Sequence, residues 1–114
     1  MSIVNIKEGA IGESKAVDFL KKNGYKILER NFKCATGEVD IIAKKKGVIC
    51  FIEVKARSYS GFGSPLEAIT PSKIRKIKSA TQYYLHINNV EDEDIRFDVV
   101  NILGDEIELI ENAF

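Results

Sequence analysis

The run VICFIEV, residues 48–54, constrains this chain more than any other stretch, because it is apolar on both sides of an extended backbone. Side chains alternate along a strand, so Cys50, Ile52 and Val54 take one face while Glu53, Lys55 and Arg57 share the other. A strand that is apolar on both faces belongs in the middle of a sheet with cover on both sides. The preceding run, residues 38–44, is a second strand, and KKKG joins the two. That connection predicts a tight turn with Lys46-Gly47 as its central pair. Lys45 then pairs with Val48, and the same count brings Asp40 opposite Glu53.

The rest of the chain supplies the cover. Apolar residues recur at helical spacing over residues 6–23 (Ala10, Ala16, Val17, Leu20), and Gly24 suits the position just past a helix. Residues 25–32 read as a strand, and 59–65, YSGFGSP, as a flexible loop. Thr70-Pro71 is a helix N-cap followed by proline at the first helical position, opening a helix to about residue 88. EDED is a solvated connector, and residues 95–103 and 106–111 form a closing hairpin about Gly104-Asp105. The order is α-β-β-β-α-β-β. A helix between the third and fourth strands is what a parallel, right-handed crossover requires. The expected fold is therefore α/β (α+β), one domain over residues 1–114, with a mixed sheet flanked by helices.

Composition narrows the chemistry. No stretch is long or apolar enough to span a membrane, and the N-terminus lacks the layout of a signal peptide, so a cytoplasmic location is expected. Cys34 and Cys50 match no metal or redox spacing and read as reduced, partly buried hydrophobes. With His86 as the sole histidine, any metal would sit on oxygen ligands, which favours Mg²⁺ or Mn²⁺. The net charge is zero, but residues 1–90 hold 16 Lys/Arg against 8 Asp/Glu, while residues 91–114 hold 1 against 9. A basic portion of that kind can meet phosphates whatever the total, because screening limits distant charge to a reach of ~8–10 Å.

Within the apolar strands the acids need a reason. In the expected register Asp40 and Glu53 lie side by side on one face, Cα atoms ~4.5–5.5 Å apart. Two adjacent carboxylates repel unless a cation sits between them or one takes up a proton. A divalent metal would remove the repulsion, and Lys55, next along the same face, would hold or polarise a water beside it. The alternative is an edge strand with solvated charges. Glu13 falls in the centre of the first helix's inward stripe, so it either completes an acidic cluster or snorkels at the helix start. Lys73 lies in the apolar sector of the second helix, one turn from its N-terminus, where a phosphate would also be drawn. Snorkelling of its long stem is an equal account. Lys44, Lys45, Lys46, Lys76 and Arg57 are candidate phosphate contacts, or solvated surface.

Asp40, twelve intervening residues, then Glu53-x-Lys55 resembles the signature of the PD-(D/E)XK, restriction-endonuclease-like nucleases. More closely, GxxGExxA (9–16), RNFKCATGEVDII (30–42), FIEVKAR (51–57), FGSPLEAITPSK (62–73) and RFDVV (96–100) together resemble the small YraN-like bacterial family. The resemblance implies a restriction-endonuclease-like core and a metal-dependent nuclease acting on DNA in repair or recombination. Asp40, Glu53 and Glu13 would hold Mg²⁺ or Mn²⁺, and Lys55 would assist the attacking water. Lys73, Lys76, Arg57 and the lysine-rich turn would hold the nucleic acid. The residue before Asp40 is Val39 rather than proline. Two other functions fit the same scaffold: a nucleic-acid-binding module without catalysis, and a protein-interaction adaptor docking through the acidic residues 91–111. Chemistry on two strands would require a homodimer.

Overall fold

The computed structural model describes residues 3–57 and 69–114, of which 3–10 are described as helix backbone only. The loop expected at 59–65 lies outside the described residues. Seven elements follow in the anticipated order: α1 (Ile3–Lys22), β1 (Lys26–Cys34), β2 (Gly37–Lys45), β3 (Val48–Arg57), α2 (Pro71–Ile87), β4 (Asp94–Leu103) and β5 (Glu106–Ile110). The strands make one five-stranded sheet in the order β1-β2-β3-β4-β5. All neighbours are antiparallel except β3 and β4, which run parallel across the α2 crossover. The fold is α+β with a mixed sheet, as the periodicities required. β3 is the central strand, so the solvated-edge account of Glu53 is excluded.

Local chemistry explains where the elements stop. At the end of α1 the Tyr25 N–H donates to Leu20 O at 3.0 Å and the Gly24 N–H to Lys21 O at 3.1 Å. This paired closure needs a left-handed residue, and Gly24 supplies it at φ 87°. In the β2–β3 turn Lys46 and Gly47 have φ of 51° and 80°, and two positive φ values match the right-handed twist of the flanking strands. The ladder that follows runs from Lys45↔Val48 to Ile41↔Ile52, in the register counted from the turn. α2 opens as its sequence demands, with the Thr70 side chain accepting from the Lys73 N–H at 3.1 Å and proline in the first turn. α1 starts at Ile3, one turn before the first residue of clear amphipathic spacing.

Each face of the sheet buries its own core. α1 brings Ala16, Val17 and Leu20 onto Ile41, Ala43, Cys50, Ile52, Val100 and Ile102. α2 brings Ile77, Ala80 and Tyr84 onto Val39, Ile42, Ile49 and Phe51. Burying a side chain such as Phe51 contributes about 1.5–3 kcal/mol, so these two clusters hold the layers together. Both cysteines are free thiols; Cys50 is buried and its thiol is pushed up to about 11, chiefly by desolvation.

A candidate acid and lysine centre

Glu53 sits on the α2 side of the central strand, between Phe51 and Lys55, and its side chain is 5% exposed. The first turn of α2, fixed by the Thr70 cap, places Lys73 above it. Lys73 Nζ lies 2.6 Å from Glu53 Oε1, and Lys55 Nζ lies 3.9 Å from the same oxygen.

Asp40 reaches this group by an irregular route. The β2–β3 ladder stops at Ile41↔Ile52, one step short of the expected Asp40–Glu53 pair. Instead of continuing the ladder, the Asp40 Oδ2 accepts the Val54 N–H at 2.9 Å. The pleat breaks at the same residue. Ile41 packs with the α1-side cluster and Val39 with the α2-side cluster, although strict alternation would put both on one side. Across from Asp40, between the pairs Arg30↔Ile41 and Phe32↔Val39, Asn31 adopts φ 51°. The register counted from the turn is thus correct, while the regular cross-strand pairing of the two acids is not. The acids still share one neighbourhood, the Asp40 charge acting on Glu53.

Burial sets the electrostatics. Desolvation raises the Asp40 carboxyl above the ordinary range, against the opposing pull of the Val54 N–H and Lys73. Desolvation raises Glu53 as well, and the Asp40 charge adds to it while Lys73 and Lys55 oppose. Lys55 is lowered by desolvation and then by the neighbouring Lys73 ammonium. Desolvation also pulls Lys73 down, but the Glu53 carboxylate beside it leaves it raised. The two lysines are thereby differentiated: one is committed to an ion pair, the other is the easier to deprotonate.

Glu13 does face inward, its side chain 13% exposed, but it ends elsewhere. Its Oε1 accepts from Asn31 Nδ2 at 2.9 Å and Arg30 Nε at 3.3 Å. It braces the left-handed stretch of β1 that stands across from Asp40. Among the described residues no three His, Cys, Asp or Glu side chains converge, so the expected three-acid cluster does not form. Asp40 and Glu53 alone remain a chemically reasonable seat for Mg²⁺ or Mn²⁺. Mg²⁺ typically takes one or two carboxylates and completes its shell with waters and substrate phosphate oxygens.

The candidate phosphate contacts divide. Lys73 belongs to the centre, and exposed Lys76 follows it on α2, lining a hollow with Glu38, Thr70, Ser72 and Ile77. Arg57 closes β3 on the Lys55 side of the pleat and lines a different hollow with Ile11, Gly12 and Ala56. Lys44, Lys45 and Lys46 are not brought to the centre. Their turn is at the other end of the hairpin, about 20 Å from Asp40 at the rise of an extended strand. There Lys44 pairs with Glu93 at 2.6 Å and Lys45 Nζ lies 4.9 Å over the Tyr25 ring.

A second buried acid escaped sequence reasoning. Asp98 is fully buried on β4, taking Arg96 Nε at 2.9 and 3.0 Å and the Asn112 N–H at 3.0 Å, while Arg96 also donates to the Tyr25 hydroxyl at 3.0 Å. The available signal was RFD itself, since alternation puts Arg96 and Asp98 on one face.

The protein-family model described as "Uncharacterised protein family UPF0102" matches residues 12–102 of this chain. The chain belongs to the UPF0102 family. That is the YraN-like membership anticipated from the five sequence segments. A UPF0102 protein of Clostridium perfringens (strain 13 / Type A) is 51% identical over 102 residues, covering 90% of this chain and 84% of the relative. One from Persephonella marina is 43% identical over 107 residues, covering 94% and 92%. One from Acetivibrio thermocellus is 49% identical over 116 aligned positions, covering 93% and 89%. The family match spans both acids, Lys55 and Lys73, the whole centre described above.

Proposed function

We propose that this UPF0102 protein is a metal-dependent nuclease of the restriction-endonuclease-like class. It would hydrolyse DNA phosphodiesters in the cytoplasm, in repair or recombination, with selectivity for structure rather than base sequence. One observation carries the reading: a buried carboxylate, Glu53, and a half-buried one, Asp40, stand beside Lys55 on the central hairpin of the sheet. A structural core has no use for that grouping, which destabilises the fold.

The residues divide the work. Asp40 and Glu53 would hold Mg²⁺ or Mn²⁺, and the bound ion supplies a polarised phosphoryl oxygen and a more acidic water. The Val54 N–H fixes one Asp40 oxygen and leaves the other to serve as a ligand. Lys55, on the same face of the strand beside Glu53, would orient the attacking water. Lys73 and Lys76, at the start of α2, present positive charge to the phosphate backbone, and the helix N-terminus adds to it.

The test is cleavage of branched, nicked and single-stranded DNA with Mg²⁺ or Mn²⁺, comparing wild type, Asp40→Ala and Lys55→Ala. The reading requires activity in wild type and its loss in both variants. Equal activity in all three refutes it. DNA binding with no cleavage under any condition would identify a silent binding module instead.

A further inference from the structure

We propose that Lys73 is the resident counter-ion of the Asp40–Glu53 seat, and that a divalent cation enters by displacing the Lys73 ammonium from Glu53. The inference rests on the metal-binding reading above and adds to it a competition between the chain's own side chain and the ion.

Two ionised acids cannot stay side by side in a desolvated site without a positive partner. Lys73 is that partner, since it reaches Glu53 Oε1 at 2.6 Å while Lys55 stays at 3.9 Å. An ammonium at hydrogen-bond distance occupies a lone pair of Glu53 Oε1 and sets a like charge against an incoming ion, so the two compete for the carboxylate. Lys73 is also the one free to leave. Its side chain is 38% exposed and hangs from the first turn of a helix, whereas that of Lys55 is 20% exposed and fixed on the central strand. A hollow of about 230 Å³ lined by Glu38, Thr70, Ser72, Lys76 and Ile77 adjoins it. An ammonium released from Glu53 has room there, with the Glu38 carboxylate beside it until an anionic phosphate arrives. The same displacement that loads the seat would deliver a cation to the substrate side, so ion binding and substrate binding would reinforce each other.

The test is Mn²⁺ titration without nucleic acid, followed by the electron paramagnetic resonance signal of the free ion. Wild type, Lys73→Met, Lys73→Arg and Asp40→Asn are compared at neutral pH. Removing the competitor should tighten Mn²⁺ binding on the order of ten- to a hundred-fold in Lys73→Met, the worth of one charged hydrogen bond. Lys73→Arg, which keeps a cation, should not tighten, and Asp40→Asn should lose the site. Unchanged or weaker binding in Lys73→Met, with the site still lost in Asp40→Asn, overturns the competition and leaves the metal-binding reading standing. No Mn²⁺ bound by wild type or by Lys73→Met overturns both. A measurement on the unaltered protein guards against a variant that fails to fold. Mg²⁺ should speed acetylation of Lys73 by an amine-reactive reagent several-fold, read by peptide mass spectrometry, and no change or protection refutes the displacement.

Discussion

Replacing Gly37 with alanine tests how α2, and with it Lys73, is seated on the sheet. A Cβ at Gly37 would lie 1.9 Å from the Lys76 carbonyl oxygen, 2.7 Å from its carbonyl carbon and 3.0 Å from its Cα. Cβ atoms essentially never approach other heavy atoms closer than 3.0 Å, so the two segments must part by about 1 Å. The obstacle is helix backbone rather than a side chain that can swing away. The cost therefore belongs at the upper end of the overpacking range, about 3 kcal/mol. At roughly 5 °C per kcal/mol for a domain of this size, the midpoint should fall by roughly 15 °C. The same retreat strains the Thr36–Ser79 hydroxyl contact across that junction. It also carries Lys73, one turn earlier on α2, away from Glu53, where a 2.6 Å ion pair leaves no slack. Gly47→Ala is the control. Its φ is 80° with nothing within 4 Å, so only left-handed strain of about 1 kcal/mol is added, remote from the centre. Thermal and urea unfolding followed by circular dichroism measures both. A Gly37→Ala protein within about 0.5 kcal/mol of wild type would refute the described seating of the β1–β2 turn against α2.

Asp98→Ala should destabilise the protein by about 3 kcal/mol, because it removes the main partner of the Arg96 guanidinium and leaves it the Tyr25 hydroxyl and the more distant, half-exposed Glu111; urea unfolding measures it, and a loss below about 1 kcal/mol would contradict the described network. Thr70→Ala should cost about 1 kcal/mol through the lost cap on the Lys73 N–H, and Thr70→Ser should recover most of it in the same assay. Asp40 is raised in the folded state, so its contribution to stability is present at pH below its unfolded value and is lost as pH rises through the folded one. Asp40→Asn, which keeps an acceptor for the Val54 N–H, should therefore melt higher than wild type at neutral pH and lose that advantage as pH falls to about 4; a pH series of thermal melts gives the sign.

Features carried by a few adjacent residues were legible from the sequence. Lys46-Gly47 specified a two-residue turn and thereby the β2–β3 register, Thr70-Pro71 specified a helix start, and Gly24 a helix end. VICFIEV specified a central strand because only a doubly covered position accepts it. Inward positions of Glu13 and Lys73 were also readable from helical spacing, but their partners were not. Glu13 meets Asn31 and Arg30 because β1 bends to positive φ there, a conformation that no local pattern announces. Asp40 leaves the regular pleat because its own carboxylate replaces a ladder acceptor for Val54, a tertiary substitution invisible to strand counting. The lysine-rich turn had the composition of a phosphate contact, yet strand direction alone puts it at the far end from Asp40.

The two buried acidic positions of this sheet are satisfied in opposite ways, and the contrast separates structure from chemistry. Asp98 is neutralised by an arginine on its own strand, whose Nε–H is shared between the two carboxylate oxygens, and one of those oxygens also accepts the Asn112 N–H. Such a network resists exchange: an incoming group that took Asp98 would leave Arg96 with the Tyr25 hydroxyl and with Glu111 at 3.7 Å. Glu53 is paired with a lysine at a helix start whose side chain is partly open to solvent, while its neighbour Asp40 brings a second carboxylate against it. Three departures from regular strand chemistry fall close together here. Asn31 takes a left-handed backbone, the pleat breaks at Asp40, and two acids share one desolvated space. Asn at position 40 would relieve the repulsion between the two acids while keeping an acceptor for the Val54 N–H, so the second charge is not required by that hydrogen bond. Asp98 shows that the same sheet can bury an acid in a closed network, whereas Glu53 is met by a lysine whose side chain is partly open to solvent, the difference on which the proposed exchange of that lysine for a metal ion rests.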